Sequence, residues 1–142
     1  MSPALARFLS AYQQLDNQHL HLLTEIYSEE VIFIDPLHRI SGIAALKHYF
    51  TAMYQHLQAI EFDYQDVDEQ SEQAFVQWQM RFCHPRLAAG AWVTVEGITV
   101  LRFNDAGKAC YHRDYFDLGA MLYEQLPLLG RLIGFIKRRA GQ

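Results

Sequence analysis

Residues 31–50, VIFIDPLHRISGIAALKHYF, constrain the fold of this chain more than any other segment. They begin as a strand whose apolar side chains alternate onto both faces, except where Asp35 ends one row. Pro36 cannot donate a hydrogen bond to a neighbouring strand and stops the pairing there. The segment therefore predicts a buried strand, a polar corner and an amphipathic helix. The apolar side of that helix consists of Ile43, Leu46, Phe50, Met53 and Leu57.

Asp35 has two interpretations. A carboxylate at the end of a buried strand costs free energy unless it is hydrogen-bonded, paired or solvated within a cavity. In the first interpretation it caps the corner by accepting a hydrogen bond from a backbone N–H near His38 or Arg39. In the second it stands in a functional cavity, where proton-transferring carboxylates are found. The residues alone leave both open.

The composition indicates a globular chain with a large core. The 142 residues are 51% apolar, and a chain of this length forms one domain. The net charge of −4 argues against general nucleic-acid binding, which needs a basic surface. Cys83 and Cys110 have no metal-site spacing, and we expect free thiols in a reducing compartment. Because there is neither a signal-peptide pattern nor a long apolar run, we expect a cytoplasmic protein.

Hydrophobic periodicity divides the chain into an N-terminal helical block and a run of hairpin-linked strands. The block has a helix that opens at Ser2, and a second short helix from Leu20 that ends near Ser28. Residues 66–72 are acidic and polar and predict a turn. This order of elements predicts an α+β domain with an antiparallel sheet. After the central segment, strands are expected at residues 60–68, 74–83, 92–103 and 108–117.

The C-terminal segment, from about residue 118 to residue 142, has a helical pattern interrupted at Pro127. Its positive charges suit the helix macrodipole, and an apolar face usually packs on its own domain. A second interpretation is a surface-seeking helix that contacts lipid or a lipid-like ligand. The apolar face consists of Leu128, Leu129, Leu132, Ile133, Phe135 and Ile136, and the cations are Arg131, Lys137, Arg138 and Arg139.

The central segment also carries a resemblance to a known family. Asp35 and Pro36 follow an apolar strand, and an R-x-x-G motif from Arg39 to Gly42 precedes the helix. With the order of elements, this resembles the nuclear transport factor 2-like superfamily and, within it, the SnoaL-like and ketosteroid isomerase-like group. The resemblance implies a curved antiparallel sheet that forms a cone, with N-terminal helices enclosing a pocket, as in a cystatin-like roll. It also implies one domain over residues 1–142, with a C-terminal amphipathic helix at about 118–140.

If the sheet curves round a pocket as the resemblance implies, alternation sorts the strand residues into inward and outward sets. The outward set of residues 92–100 is semi-polar, and we expect it to form a homodimer. It comprises Trp92, Thr94, Glu96, Ile98 and Val100. The inward sets are Trp78, Met80 and Phe82, then Val93, Val95, Gly97, Thr99 and Leu101, and finally His112, Asp114 and Phe116.

The resemblance further implies roles for the polar residues of the pocket. In ketosteroid isomerases an aspartate before a proline removes a proton next to a carbonyl, while a tyrosine and a protonated aspartate hold the enolate oxygen. Asp35 matches the base and Tyr12 matches the tyrosine. Thr99 occupies the position of the second aspartate, so steroid isomerisation itself is not expected. His112 and Asp114 are the residues available to replace it, as in SnoaL-like cyclases and scytalone dehydratase-like proteins.

Two functional hypotheses follow. The first is a cofactor-free and metal-free isomerase, cyclase or dehydratase that transfers protons on an apolar carbonyl compound. In it Asp35 is the base, Tyr12 and His112 polarise the oxygen, and Asp114 orients His112 or acts as acid. The second is a non-catalytic module that binds a lipid-like ligand or dimerises. The remaining pocket residues are His38, Phe50, Trp78, Met80, Phe82, Thr99 and Phe116.

Structural interpretations of the same residues remain open. Tyr12 fits a core tyrosine with a bonded hydroxyl. His112 and Asp114 fit a structural pair, or Asp114 bonds an arginine, Arg39 or Arg113. A metal site formed by Asp35, His38 and His112 lacks tight ligand spacing and is not expected.

Overall fold

The computed structural model of the protein describes residues 1–121 and 127–141. Short 3₁₀ turns lie at Leu20–Leu22 and Ala88–Gly90. The α-helices are α1 (Pro3–Gln14), α2 (Leu23–Ile26), α3 (Ile43–His56), α4 (Leu118–Met121) and α5 (Pro127–Ala140). The strands are β1 (Tyr27–Ile34), β2 (Arg39–Ser41), β3 (Ala59–Gln70), β4 (Gln73–Cys83), β5 (Trp92–Phe103) and β6 (Ala109–Phe116).

The strands form one curved, unclosed sheet in the order β2-β1-β6-β5-β4-β3. The α+β prediction with a curved sheet and N-terminal helices is therefore confirmed. Consecutive strands pair antiparallel, apart from β2 and β3, which do not pair, whereas β1 runs parallel to β6. This parallel pair was not predicted. It arises because the chain passes through β2, α3 and strands β3 to β5 before β6 returns beside β1.

Two clusters of buried apolar side chains hold the helices against the concave face of the sheet. Alternation along β4 and β5 predicted the buried face of these strands correctly, because one face meets the core and the other meets solvent. The larger cluster joins α1, α2 and α3 to the sheet and includes Leu5, Phe8, Leu23, Val31, Leu46 and Leu101. The smaller cluster comprises Trp78, Phe82, Leu87, Val93 and Val95.

Two local predictions were wrong. The second short helix ends at Ile26 and not near Ser28, because Tyr27 already pairs with Ala109 of β6. The polar stretch at residues 66–72 is mostly strand, since β3 continues to Gln70 opposite Gln73. In both places pairing with a distant or adjacent strand outweighs the local composition.

The C-terminal helix α5 begins at Pro127, where the interruption was predicted, and Lys137 Nζ donates to Asp117 Oδ2 over 2.5 Å. Leu132, Phe135 and Ile136 are more than half exposed. Residues 122–126, and the side chains of Leu128, Leu129 and Ile133 in the predicted apolar face, lie outside the described residues. No helix in the described part of the chain is long and apolar enough to cross a bilayer.

Candidate functional site

A cavity of about 480 Å³ lies between α1, α3 and the concave face of the sheet. Its volume falls within the range of about 300–1,000 Å³ that is typical of small-molecule sites. Apolar and aromatic side chains from both buried clusters form most of its wall. All eleven residues that were predicted for the pocket line it: Tyr12, Asp35, His38, Phe50, Trp78, Met80, Phe82, Thr99, His112, Asp114 and Phe116.

One chain of hydrogen bonds begins and ends at this cavity. Tyr12 Oη contacts Tyr27 Oη, and Tyr27 Oη lies 2.7 Å from His112 Nδ1. His112 Nε2 lies 2.8 Å from Asp114 Oδ1. Tyr27 is 1% exposed and does not line the cavity. It therefore links Tyr12 to His112 behind the cavity wall.

A second pair of hydrogen bonds leads to the same oxygen, Asp114 Oδ1. Trp78 Nε1 donates to Thr99 Oγ1 over 2.7 Å, and Thr99 Oγ1 donates to Asp114 Oδ1 over 2.5 Å. An indole N–H can only donate, so the threonine hydroxyl must accept from it and direct its own proton at the carboxylate. Asp114 Oδ1 is thereby fixed, while Oδ2 accepts no hydrogen bond from the described residues.

Strand register explains why these residues meet. Thr99 stands opposite Asp114 in the β5–β6 ladder, and Phe33 stands beside His112 in the parallel β1–β6 ladder. Gly97 lies beneath the Trp78 ring, where an added Cβ would come within 2.5 Å of two ring carbons. The glycine therefore gives the tryptophan room to reach Thr99.

Burial strongly perturbs the two linked tyrosines. Desolvation raises the pKa of the Tyr12 hydroxyl well above its usual value of 10.0, and repulsion from Tyr27 and Asp114 adds to the shift. Desolvation raises the pKa of Tyr27 as well, although its bond to Tyr12 opposes the rise. Both hydroxyls therefore remain protonated near neutral pH.

Asp35 caps the polar corner and also lines the cavity. Its Oδ1 accepts from the backbone N–H groups of Leu37, over 2.8 Å, and His38, over 2.7 Å. His38 Nδ1 lies 3.0 Å from the same oxygen, and Tyr49 donates to Oδ2 over 3.1 Å. The Asp35 side chain is 9% exposed. Asp35 therefore occupies both of the positions considered for it, the cap of the corner and the wall of a cavity.

His38 and Tyr49 form the wall of the cavity next to Asp35. Their rings are 4.8 Å apart, and the His38 side chain is 42% exposed. Burial is the main cause that raises the pKa of Tyr49 above its usual value, and the negative charge of Asp35 adds to the shift. Tyr49 therefore stays protonated as a donor to the carboxylate.

Of the contacts considered for Asp114, the pairing with His112 is observed and the bond to an arginine is not. Asp114 bonds Thr99 and His112. Among the described residues, no group of three or more His, Cys, Asp or Glu side chains is placed to hold a metal ion. Cys83 and Cys110 are free thiols, as predicted.

Sequence reasoning missed Tyr27, the buried link of the hydrogen-bonded chain. A register shift between Tyr27 and Ile32 breaks the alternation of buried and exposed residues at the start of β1. Helical and strand patterns therefore overlap there, and no local signal separates this tyrosine from a core residue. It also missed Tyr49, which immediately precedes Phe50 in α3 and was not assigned to the apolar side of that helix.

A family model for the SnoaL-like domain matches residues 6–112, which include Tyr12, Asp35, Thr99 and His112. The chain belongs to the SnoaL-like family. Asp114 lies two residues beyond the matched region. No functionally curated protein matches the chain.

Solved structures similar to this SnoaL-like chain show the same fold. A nuclear transport factor 2-like protein of unknown function from Burkholderia pseudomallei has a TM-score of 0.75 at 18% identity, over 86% of this chain and 96% of that one. TerC, co-crystallised with polyporic acid, has a TM-score of 0.72 at 18% identity, over 84% and 95%. An LEH-like epoxide hydrolase from M. tuberculosis has a TM-score of 0.67 at 18% identity, over 83% and 79%.

Proposed function

We propose that this SnoaL-like protein is a cofactor-independent enzyme that transfers protons on an apolar, carbonyl-bearing molecule, as an isomerase, cyclase or dehydratase. The observation that supports this most is a chain of hydrogen-bonded polar side chains that opens into a mostly apolar cavity at Tyr12, His112 and Asp114. In such surroundings a few placed groups act on a ligand with little competition from water.

Each polar residue receives a role in this proposal. Asp35 removes a proton next to the carbonyl, and Tyr12 donates a hydrogen bond to the carbonyl oxygen as charge develops there. Tyr12 can donate into the cavity only when Tyr27 donates to it, which requires a proton on His112 Nδ1. Asp114 holds that imidazolium by accepting from Nε2.

Asp114 is the alternative base. Its side chain is 18% exposed, lines the same cavity and keeps Oδ2 unbonded among the described residues. In Asp35, by contrast, both carboxylate oxygens already accept hydrogen bonds. The two assignments differ in which substitution abolishes proton removal.

The experiment follows the exchange of protons next to the carbonyl of 2-tetralone, an apolar bicyclic ketone, in D₂O by ¹H NMR. We expect wild-type protein to accelerate this exchange over buffer, and Asp35→Asn to lower the acceleration by about 10²-fold or more, as for loss of a general base. Asp114→Asn should cost about tenfold through the weakened hydrogen-bonded chain. Asp105→Asn, in an exposed turn, is the matched control.

Three outcomes would change the assignment. If Asp114→Asn abolishes exchange and Asp35→Asn does not, Asp114 is the base. If both variants retain full acceleration, proton transfer by these carboxylates is excluded. If wild-type protein binds the ketone without accelerating exchange, the enzymatic proposal fails for this class of ketone.

A second candidate function is the non-catalytic binding of a lipid-like molecule. The mostly apolar wall favours it, because aromatic and aliphatic side chains predominate among the lining residues. Native mass spectrometry of freshly purified protein should then show a co-purified apolar molecule that is released by organic solvent. Under both functions we propose a homodimer through the outer face of the sheet.

A further inference from the structure

The direction of each hydrogen bond between Asp114 and Tyr12 follows from donor and acceptor chemistry. Asp114 Oδ1 accepts from Thr99, so as a carboxylate it also accepts from His112 Nε2–H. With neutral His112, Nδ1 has no proton and must accept from Tyr27. Tyr27 then accepts from Tyr12, and Tyr12 offers the cavity a lone pair and no proton.

A proton on His112 reverses this direction. The imidazolium donates from Nδ1 to Tyr27, Tyr27 donates to Tyr12, and Tyr12 donates into the cavity. Tyr12 is therefore an acceptor for a ligand hydroxyl in one state and a donor to a ligand oxygen anion in the other. The two states differ by one proton on an imidazole that is 2% exposed.

We propose that Tyr27 completes a proton relay from the cavity to His112, through which the site binds an acidic hydroxyl, an enol or a phenol, as its anion. This rests on the proposed proton-transfer function of the same cavity and specifies its ligand class. The ligand O–H bond breaks and its proton passes to Tyr12. The proton of Tyr12 passes to Tyr27, and that of Tyr27 forms the new N–H bond at His112 Nδ1. The net charge of the complex is unchanged, because the anion is balanced by the imidazolium.

The surroundings of the relay favour this movement of charge. Burial raises the pKa of both tyrosine hydroxyls, so they pass protons on and do not retain the negative charge. The rings packed against His112 belong to Phe8 and Tyr12 of α1, Tyr27 and Phe33 of β1. Within the described residues, the charged group that contacts His112 is Asp114, the carboxylate that stabilises an imidazolium.

The ligand is therefore more acidic than an ordinary alcohol. An imidazole nitrogen is a far weaker base than an alkoxide, so only a hydroxyl much more acidic than that of a simple alcohol gives up its proton to His112 at small cost. Enols of dicarbonyl compounds and electron-poor phenols have such hydroxyls. A simple alcohol would bind through the same lone pair of Tyr12 and remain neutral.

The test uses 4-nitrophenol, whose anion absorbs visible light and whose neutral form does not, at a pH below its solution pKa. We expect binding to wild-type protein to produce the anion band, and ¹⁵N NMR to show His112 as an imidazolium in the same complex. Tyr27→Phe keeps the ring but removes the relay hydroxyl, and should reduce the band about tenfold, as for loss of one hydrogen bond to a charged group.

Two controls separate the relay from general effects. 4-Nitroanisole has the same nitro-substituted ring with a methyl group in place of the acidic proton, and its affinity should be the same for wild-type protein and Tyr27→Phe. Tyr115→Phe removes a hydroxyl from the exposed outer face and should leave the band unchanged.

The outcomes distinguish the relay from the proposed function. A full anion band in Tyr27→Phe overturns the relay. The relay is also overturned if wild-type protein binds neither 4-nitrophenol nor 4-nitroanisole, or if it binds 4-nitrophenol without producing the band. Exchange of 2-tetralone protons without the anion band removes only the relay. The band without such exchange supports the relay and excludes the enzymatic function for this class of ketone.

Discussion

The buried hydroxyls of Tyr12 and Tyr27 make single residues sensitive to pH. Both pKa values are raised in the folded chain, mainly by desolvation, so the folded state holds these protons more tightly than the unfolded state. The unfolded chain releases them above about pH 10, while the folded chain keeps them. Folding stability is therefore fully present below about pH 10 and falls as the pH rises further.

We expect the thermal midpoint of wild-type protein to fall steeply as the pH rises above about 10. Tyr27→Phe should show a shallower fall, because one raised pKa is lost, even if its midpoint at neutral pH is lower. Differential scanning calorimetry across this pH range measures both slopes. Equal slopes for the two proteins would show that Tyr27 ionises normally and contradict its burial.

At the scale of elements, the site depends on how strands β4, β5 and β6 stand beside one another. Trp78 crosses over Gly97 to reach Thr99, and Thr99 stands opposite Asp114. The Gly97 position has no spare room, since an added Cβ would also lie 2.8 Å from the Tyr115 carbonyl oxygen. Close approach of two strands and a large ring thus sets the geometry around Asp114.

Gly97→Ala should destabilise the protein by about 1–3 kcal/mol, because overpacking pushes the Trp78 ring out of place. The measurement is urea denaturation. Glu96→Ala, at the exposed neighbouring position, should change the free energy of unfolding by no more than about 0.5 kcal/mol. In Gly97→Ala/Trp78→Phe the smaller ring should make the two losses less than additive. Strict additivity would show that the strain lies elsewhere.

At the scale of the whole molecule, the outer face of the sheet is the proposed dimer interface. Phe75, Trp92, Ile98 and Tyr115 are each between 38% and 50% exposed. Exposed apolar side chains gathered on one sheet face are characteristic of protein contacts. Arg81 and Arg113 lie over the rings of Trp92 and Tyr115, so the face combines apolar area with positive charge.

Ile98→Glu should convert the proposed homodimer to a monomer, because it places a charge at the centre of this face between Gln77 and Tyr115. Size-exclusion chromatography with light scattering measures the mass. Ala45→Glu, at an exposed position of α3, should leave the dimer intact. Wild-type protein that is monomeric at micromolar to millimolar concentrations would remove the proposal.

The sequence by itself determined which side chains face the cavity. Alternation along β4 and β5 assigned Trp78 and Thr99 to the inner face, because neighbouring residues of a strand point to opposite sides of a sheet, and the family resemblance assigned His112 to it. Asp35 followed by Pro36 marked the polar corner for an equally local reason. Patterns of this kind depend only on the residues within one strand or turn.

Only the tertiary structure decided how those side chains are connected. Tyr27 and His112 are 85 residues apart in the chain, and they meet because β1 pairs in parallel with β6 after a register shift. Pairing between distant strands depends on the path of the whole chain, and a shift of one residue would turn each side chain to the other face. The hydrogen-bonded chain from Tyr12 to Asp114 is therefore a property of the folded molecule.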